Sequence, residues 1–147
     1  MKMNPDDVAK YKKFFKYVST SIPLVRDVPF IISALMKFSG NASEEKIKES
    51  LVWNKGPTIE IVKDLVCGVV NAVGCYTVDS NVIQIEQSVV EEFEAGKGLR
   101  TTSFGKQVYL AGVTLLHELC HWANDGTGAE DVTHEKFEQA LYGKIIN

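Results

Sequence analysis

Five residues in the stretch "TLLHELCHWAND" (114–125) carry the chemistry of this sequence: His117-Glu118-Leu119-Cys120-His121, an H-E-x-x-H pattern. On a helix, residues four apart share a face one turn apart. His117 and His121 can therefore aim ring nitrogens at one cation about 2 Å from each. Glu118 follows His117 directly and projects to the side, where its carboxylate reaches a water on the cation rather than the cation itself. Zinc brings the pKa of such a water towards 7, and a positioned carboxylate can take its proton and pass it to a leaving amine. The chemistry such a set could do is metal-assisted hydrolysis, as of a peptide bond. Two histidines satisfied inside a helical core would explain the pattern without a metal. With only three histidines in 147 residues, however, a chance H-E-x-x-H is rare.

Catalytic zinc takes three protein ligands and keeps a fourth position open. The breaks after His121 are Asn124-Asp125-Gly126 and Gly128, and beyond them "EDVTHEKFEQALYGKII" reads as a second helix folded back on the first. Glu138 completes H-E-x-x-H-x16-E and His134 completes H-E-x-x-H-x12-H. Asp131 shares their face at the mouth of the helix, where a carboxylate also suits the helix dipole. Glu138, then His134, then Asp131 are the candidates for the third ligand. Tyr142, one turn beyond Glu138, could donate its hydroxyl to the oxyanion of a tetrahedral intermediate, or simply pack as an aromatic between the two helices.

These residues need a frame. "KQVYLAGVTLLHELCHWAND" is expected to form one long helix, apolar on most sides and so buried mid-domain, which makes its polar residues conspicuous. Upstream, "NPDDVAKYKKFFKYVSTSI" and "VRDVPFIISALMKFSG" read as helices, the second ending at Gly40. A short third helix follows, capped by Asn41 or Ser43. "GPTIEIV" (56–62), "CYTV" and "NVIQIE" read as strands, the last two joined by an Asp79-Ser80-Asn81 turn. "SVVEEFEAG" is a short helix closed by Gly96, and "GKGLRTTSFG" a loop. The pattern gives a single α+β domain spanning 1–147: N-terminal helices, a small β-sheet, and the motif helix paired with a C-terminal helix. An extended substrate could add as a strand to an exposed sheet edge, and "NVIQIE" (81–86) is the expected edge.

Composition narrows the partners. Apolar residues make up 45% and charged residues 24%, the balance of a globular domain with one core. A formal net charge of −3 offers no basic face for nucleic acid. Lys2, Lys10, Lys12, Lys13 and Lys16 read as the solvated face of an amphipathic helix. No run approaches the length of a membrane span, and the N-terminus lacks the apolar core of a signal peptide. Cys67, Cys75 and Cys120 form an odd set without disulfide-framework spacing, so reduced thiols are expected, with Cys120 a small buried hydrophobe rather than a ligand.

"TLLHELCHW" followed by "FEQALYG" resembles the zincin-like metallopeptidase toxin domains of bacterial polymorphic toxins. The likeness extends upstream through "PLVRDVPFIISAL" and "LVWNKGPTIEI". The resemblance implies a zincin-like fold and a zinc-dependent peptidase acting as an effector. It would be delivered without its own signal peptide, act on protein in the cytoplasm of a target cell, and be neutralised in the producer by an immunity protein. Carried over by position, it makes His117 and His121 ligands, Glu118 the general base, and Phe137-Glu138 with Tyr142-Gly143 the signature of the second helix, which favours Glu138 as third ligand. The sequence departs from the pattern in carrying His134 where a small residue is expected. The competing reading is a catalytically inactive zinc-binding module that acts by docking a partner.

Overall fold

The computed structural model describes residues 1–129 and 134–147, with His134 described by its backbone alone. The chain opens with strand β1 (Lys2–Met3) and helices α1 (Pro5–Lys10) and α2 (Lys12–Lys16). The expected first helix is therefore segmented. It breaks at Tyr11 and then widens to a π turn over Tyr17–Ser21 before tightening to a 3-10 turn over Ile22–Asp27. The second helix, α3 (Pro29–Phe38), starts later than the sequence suggests, because Val28 is extended and Pro29 supplies the first helical position. Helix α4 (Glu44–Ser50) begins as expected: the Ser43 hydroxyl accepts from the Lys46 amide, and Glu44 and Glu45 lie in the first turn.

Next come β2 (Thr58–Val62), the small hairpin β3 (Val66–Cys67) and β4 (Val70–Asn71), then β5 (Gly74–Tyr76) and β6 (Val82–Glu86). The main sheet has the order β1-β2-β6-β5. β1, β2 and β6 run parallel, and β5 is antiparallel to β6. β6 is thus interior, and the expectation that 81–86 forms the edge is corrected. Its five residues pair with β2, and Ile83 and Ile85 are fully buried, which fits a central strand. The edge next to the motif is β5.

Helix α5 (Gln87–Glu94) is followed not by a loop but by a hairpin of β7 (Leu99–Thr101) and β8 (Gln107–Tyr109). This shortens the motif helix at its start: α6 runs over Leu110–Asp125, and the Leu110 amide donates to the Gly98 carbonyl rather than within a helix. α7 (His134–Tyr142) follows. The expected earlier start of that helix, Glu130 and Asp131 included, lies outside the described residues. Among the described residues no single helix is long and apolar enough to cross a membrane.

α6 packs against β5, β6, α3, α5 and α7, so it is central, as its nearly all-round apolar sequence requires. Leu115, Leu119 and Cys120 are wholly buried, each leucine worth roughly 1.5–3 kcal/mol of burial. Gly112 permits a close approach: a Cβ there would collide with the Tyr17 hydroxyl. Tyr17 is wedged against Phe93 and Tyr109, with ring centroids 4.8 and 5.8 Å away.

Two further expectations meet their outcome here. Cys67 and Cys75 form a disulfide, correcting the expectation of three reduced thiols. Their partnership depends on the β3–β4 hairpin folding beside β5, which places the two Cα atoms 5.6 Å apart. Cys120 is a buried thiol outside the disulfide, and its Sγ rests 3.8 Å from the Leu35 carbonyl. Lys10, Lys12, Lys13 and Lys16 are exposed, but Lys2 belongs to β1 rather than to their helices.

Candidate active site

α6 turns His117 and Glu118 towards a cleft between itself, α7 and the segment leading into β5, and His121 towards a neighbouring cavity. A cavity of about 360 Å³ is lined by His117, Glu118 and Glu138 on the helical side and by Asn71, Val73 and Gly74 on the other. Nε2 of His117 lies 3.2 Å from Nε2 of His121. Two nitrogens bound tetrahedrally to one zinc at ~2.0–2.1 Å would be about 3.3 Å apart, so this pair fits two corners of a zinc site. Among the described residues no three His, Cys, Asp or Glu side chains gather as a metal site.

Glu138 is buried beside this pair. Its Oε2 accepts from Nδ1 of His117 at 2.7 Å, on the side of the imidazole ring away from His121's nitrogen, and its Oε1 accepts from the Ile146 amide at 2.9 Å. α7 holds Glu138 there through Phe137. That ring is fully buried and meets the ring of Phe38 edge-on at 6.4 Å and the His117 imidazole at 6.5 Å.

Glu118 is also buried, facing β5. A methyl group on Gly74 would come within 2.9 Å of its Cγ and 3.0 Å of its Oε1, and within 2.7 Å of the Thr114 methyl. Only a residue without a side chain lets the edge strand pass so close to this carboxylate. The Thr114 hydroxyl is satisfied by the Leu110 carbonyl at 2.8 Å, so it does not compete for Glu118.

His117, Glu118, His121 and Glu138, four of the residues singled out in the sequence, are brought together. His134 begins α7, but its side chain, like the whole of Asp131, lies outside the described residues. Tyr142 is buried and lines a different feature, an apolar groove of about 390 Å³ with Val28, Phe30 and Phe104. Burial raises the pKa of its phenol, and the neighbouring Glu138 adds to the shift.

Three participants were not found from sequence. Gly74 carries no pattern of its own, because its role depends on which strand is the edge. Ile146 acts through its backbone. Tyr76 lines a second cavity, of about 270 Å³, together with His121 and Asp125. Its hydroxyl donates to Asp125 Oδ2 at 2.6 Å, and the Asp79 amide donates to the same oxygen at 2.9 Å. Burial raises the Tyr76 pKa, with that hydrogen bond adding to it, and the same bond holds the Asp125 carboxyl below its ordinary range. The alternation in "CYTV" was the available signal, but it names a strand and not a neighbour.

The family model described as metallopeptidase toxin 3 matches residues 7–143. No curated protein and no solved structure matches the chain.

Proposed function

The chain belongs to the metallopeptidase toxin 3 family, and from this we propose that it is a zinc peptidase whose reaction is carried by His117, Glu118 and His121. The single observation that carries the reading is the 3.2 Å convergence of the two Nε2 atoms, with His117 lining the same cleft as Glu118. Zinc, when bound, supplies Lewis acidity that polarises the scissile carbonyl and acidifies a water molecule. The remaining work falls to the protein. His117 and His121 donate their Nε2 lone pairs to the ion. Glu118, held at the floor of the cleft, accepts the proton of the attacking water and delivers it to the departing amine. Its burial beside β5 removes competing solvent and fixes the carboxylate's direction.

The substrate is a protein or peptide in extended form. β5 is the sheet edge along α6, with Gly74 at Glu118 and Tyr76 beside His121. A peptide laid along that edge would pass over the histidine pair, with one cavity on either side for its side chains. As an effector, the protein would act in the cytoplasm of a target cell and be neutralised in its producer by an immunity protein. The sequence offers Glu138, His134 and Asp131 for the third ligand, and the structure describes the side chain of Glu138 alone among them.

The test is Glu118→Gln, assayed by mass spectrometry of peptides released from an unfolded protein. Zinc content should stay at the wild-type level while cleavage falls by a factor on the order of 10²–10⁴. A variant that cleaves like the wild type would sink the assignment. A wild type that binds zinc but cleaves nothing would favour the inactive docking module.

A further inference from the structure

Glu138 stands in the sequence as the first candidate for a third zinc ligand, yet its two oxygens are engaged elsewhere. The geometry points to a different role: Glu138 is a positioning residue that fixes the His117 ring and ties it to the C-terminal segment, and it does not touch the ion. The inference rests on the zinc-peptidase reading above and deepens it.

The argument starts from the imidazole. A neutral histidine has one N–H and one lone pair, and the partner of the first decides where the second points. Oε2 of Glu138, an acceptor when ionised, lies 2.7 Å from Nδ1 of His117. That contact places the proton on Nδ1 and leaves Nε2 as the lone-pair nitrogen, the one that faces Nε2 of His121. A carboxylate behind a histidine in this way orients the ring and raises its basicity towards a metal. The other oxygen, Oε1, is occupied by the Ile146 amide in a buried hydrogen bond. For Glu138 to coordinate the ion, its carboxylate would have to leave both partners, stranding a buried amide. Ile146 and Asn147 themselves line the cleft that holds His117 and Glu118. The same carboxylate therefore sets a zinc-binding nitrogen and one wall of the substrate site. It also explains why Phe137 and Glu138 occur together: the ring packs against His117 edge-on while the neighbouring carboxylate grips it.

The experiment is long-range 1H–15N NMR of the histidine side chains in the full chain, without and with one equivalent of zinc, beside zinc titrations of wild type, Glu138→Gln and Glu138→Ala. The expected wild-type result is a slowly exchanging N–H on Nδ1 of His117 in both states, with zinc shifting only Nε2. Glu138→Gln, whose amide oxygen can still accept from Nδ1 while its NH2 gives up the Ile146 bond, should keep zinc binding within about tenfold of the wild type. Glu138→Ala should weaken it by roughly ten- to a hundredfold. Loss of the Nδ1 proton on adding zinc, or complete loss of zinc uptake in Glu138→Gln, would make Glu138 a ligand and overturn the inference while leaving the peptidase reading intact. Unchanged affinity in Glu138→Ala would reduce Glu138 to an anchor for Ile146, again overturning it. A wild type that takes up no zinc would withdraw the peptidase reading itself, and the inference with it. The wild-type spectra need no variant, so a misfolded substitution cannot hide the answer.

Discussion

On one side of the cleft, α6 and α7 hold His117, Glu118 and Glu138 among wholly buried residues such as Leu119 and Phe137, and both Glu138 oxygens are hydrogen-bonded. On the other side, the β3–β4 hairpin turns outwards: Val69 is 96% exposed, and Val66 and Val70 are more than half exposed. That wall is held by the two-residue β3–β4 ladder, the Ala72 amide on the Leu65 carbonyl, the Glu86 amide on the Val73 carbonyl and the Cys67–Cys75 disulfide. It joins the main sheet through the three-residue β5–β6 ladder. The proposed chemistry sits on the wall whose geometry is fixed by core packing, where displacement by an ångström would be costly. The wall that would meet substrate side chains is small, solvated and free to differ. The contrast predicts that substitutions behind the helical wall change stability, whereas those in the β wall change catalysis or substrate binding and leave the fold standing.

The strongest challenge to the helical wall is Gly112→Ala. The new methyl would collide with the Tyr17 hydroxyl, whose ring is packed against Phe93 and Tyr109. Overpacking of this kind costs about 1–3 kcal/mol, read as a lower urea midpoint with an unchanged slope. Adding Tyr17→Phe should restore part of the loss, because the Cβ would then face ring carbons, Cζ at 3.2 Å and Cε1 at 3.6 Å. If Gly112→Ala alone is as stable as the wild type, α6 is not packed as tightly as described.

Gly74→Ala asks the same question of the β wall, and the answer should differ in kind. Here the methyl would press on Glu118 and Thr114 from a half-buried edge strand. The urea midpoint should shift little and zinc should still bind, while kcat falls by a factor on the order of 10–10² as the carboxylate is displaced. A fall in stability as large as that of Gly112→Ala, with kcat unchanged, would erase the distinction between the walls.

A smaller effect follows from Tyr17. Burial, with Tyr109 nearby, pushes its phenol up to about 12. An unfolded tyrosine ionises near 10. Between these values the native state keeps a proton that the unfolded state has lost, so stability falls as pH rises through this window, by at most about 1.4 kcal/mol per pH unit from this group. Tyr17→Phe should therefore show a shallower alkaline decline in urea midpoint than the wild type. An identical decline would place Tyr17 in a wetter site than its neighbours suggest.

The legibility of the two walls in the sequence differs for the same physical reason as their stability. α6 could be read because burial on most sides imposes an unbroken apolar helix, against which His117, Glu118 and His121 stand out. α7 was readable through Phe137, Glu138 and Tyr142. The β wall was not. Strands of two or three residues, such as Val66–Cys67 or Leu99–Thr101, are too short to display an alternation, so β7 and β8 passed for a loop and the head of a helix. Strand order depends on contacts distant in sequence, which is why Val82–Glu86 was expected at the edge it does not occupy. The disulfide shares that origin, since nothing local pairs Cys67 with Cys75. Glu138 lines the cleft, and one of its partners, the backbone amide of Ile146, is a contact that no sequence pattern marks.

The disulfide gives the finest test of the contrast. It closes a short loop that contains Asn71, Ala72, Val73 and Gly74, the cleft-lining residues of the β wall, and it joins none of the elements that carry His117, Glu118 or Glu138. Its influence should therefore be local. An effector that passes from an oxidising exterior to a reducing cytoplasm would meet both states of this bond. With a dithiol reductant, amides of 66–73 should exchange with deuterium faster, while those in the middle of α6 and in α7 keep their protection and zinc stays bound. A chain carrying Cys67→Ser and Cys75→Ser should show the same pattern without reductant. If the wall contributes to substrate binding as its position suggests, KM should rise in both cases before kcat changes. Loss of protection across α6 on reduction would instead tie the two walls into one cooperative unit, and the division of labour drawn from their packing would have to be given up.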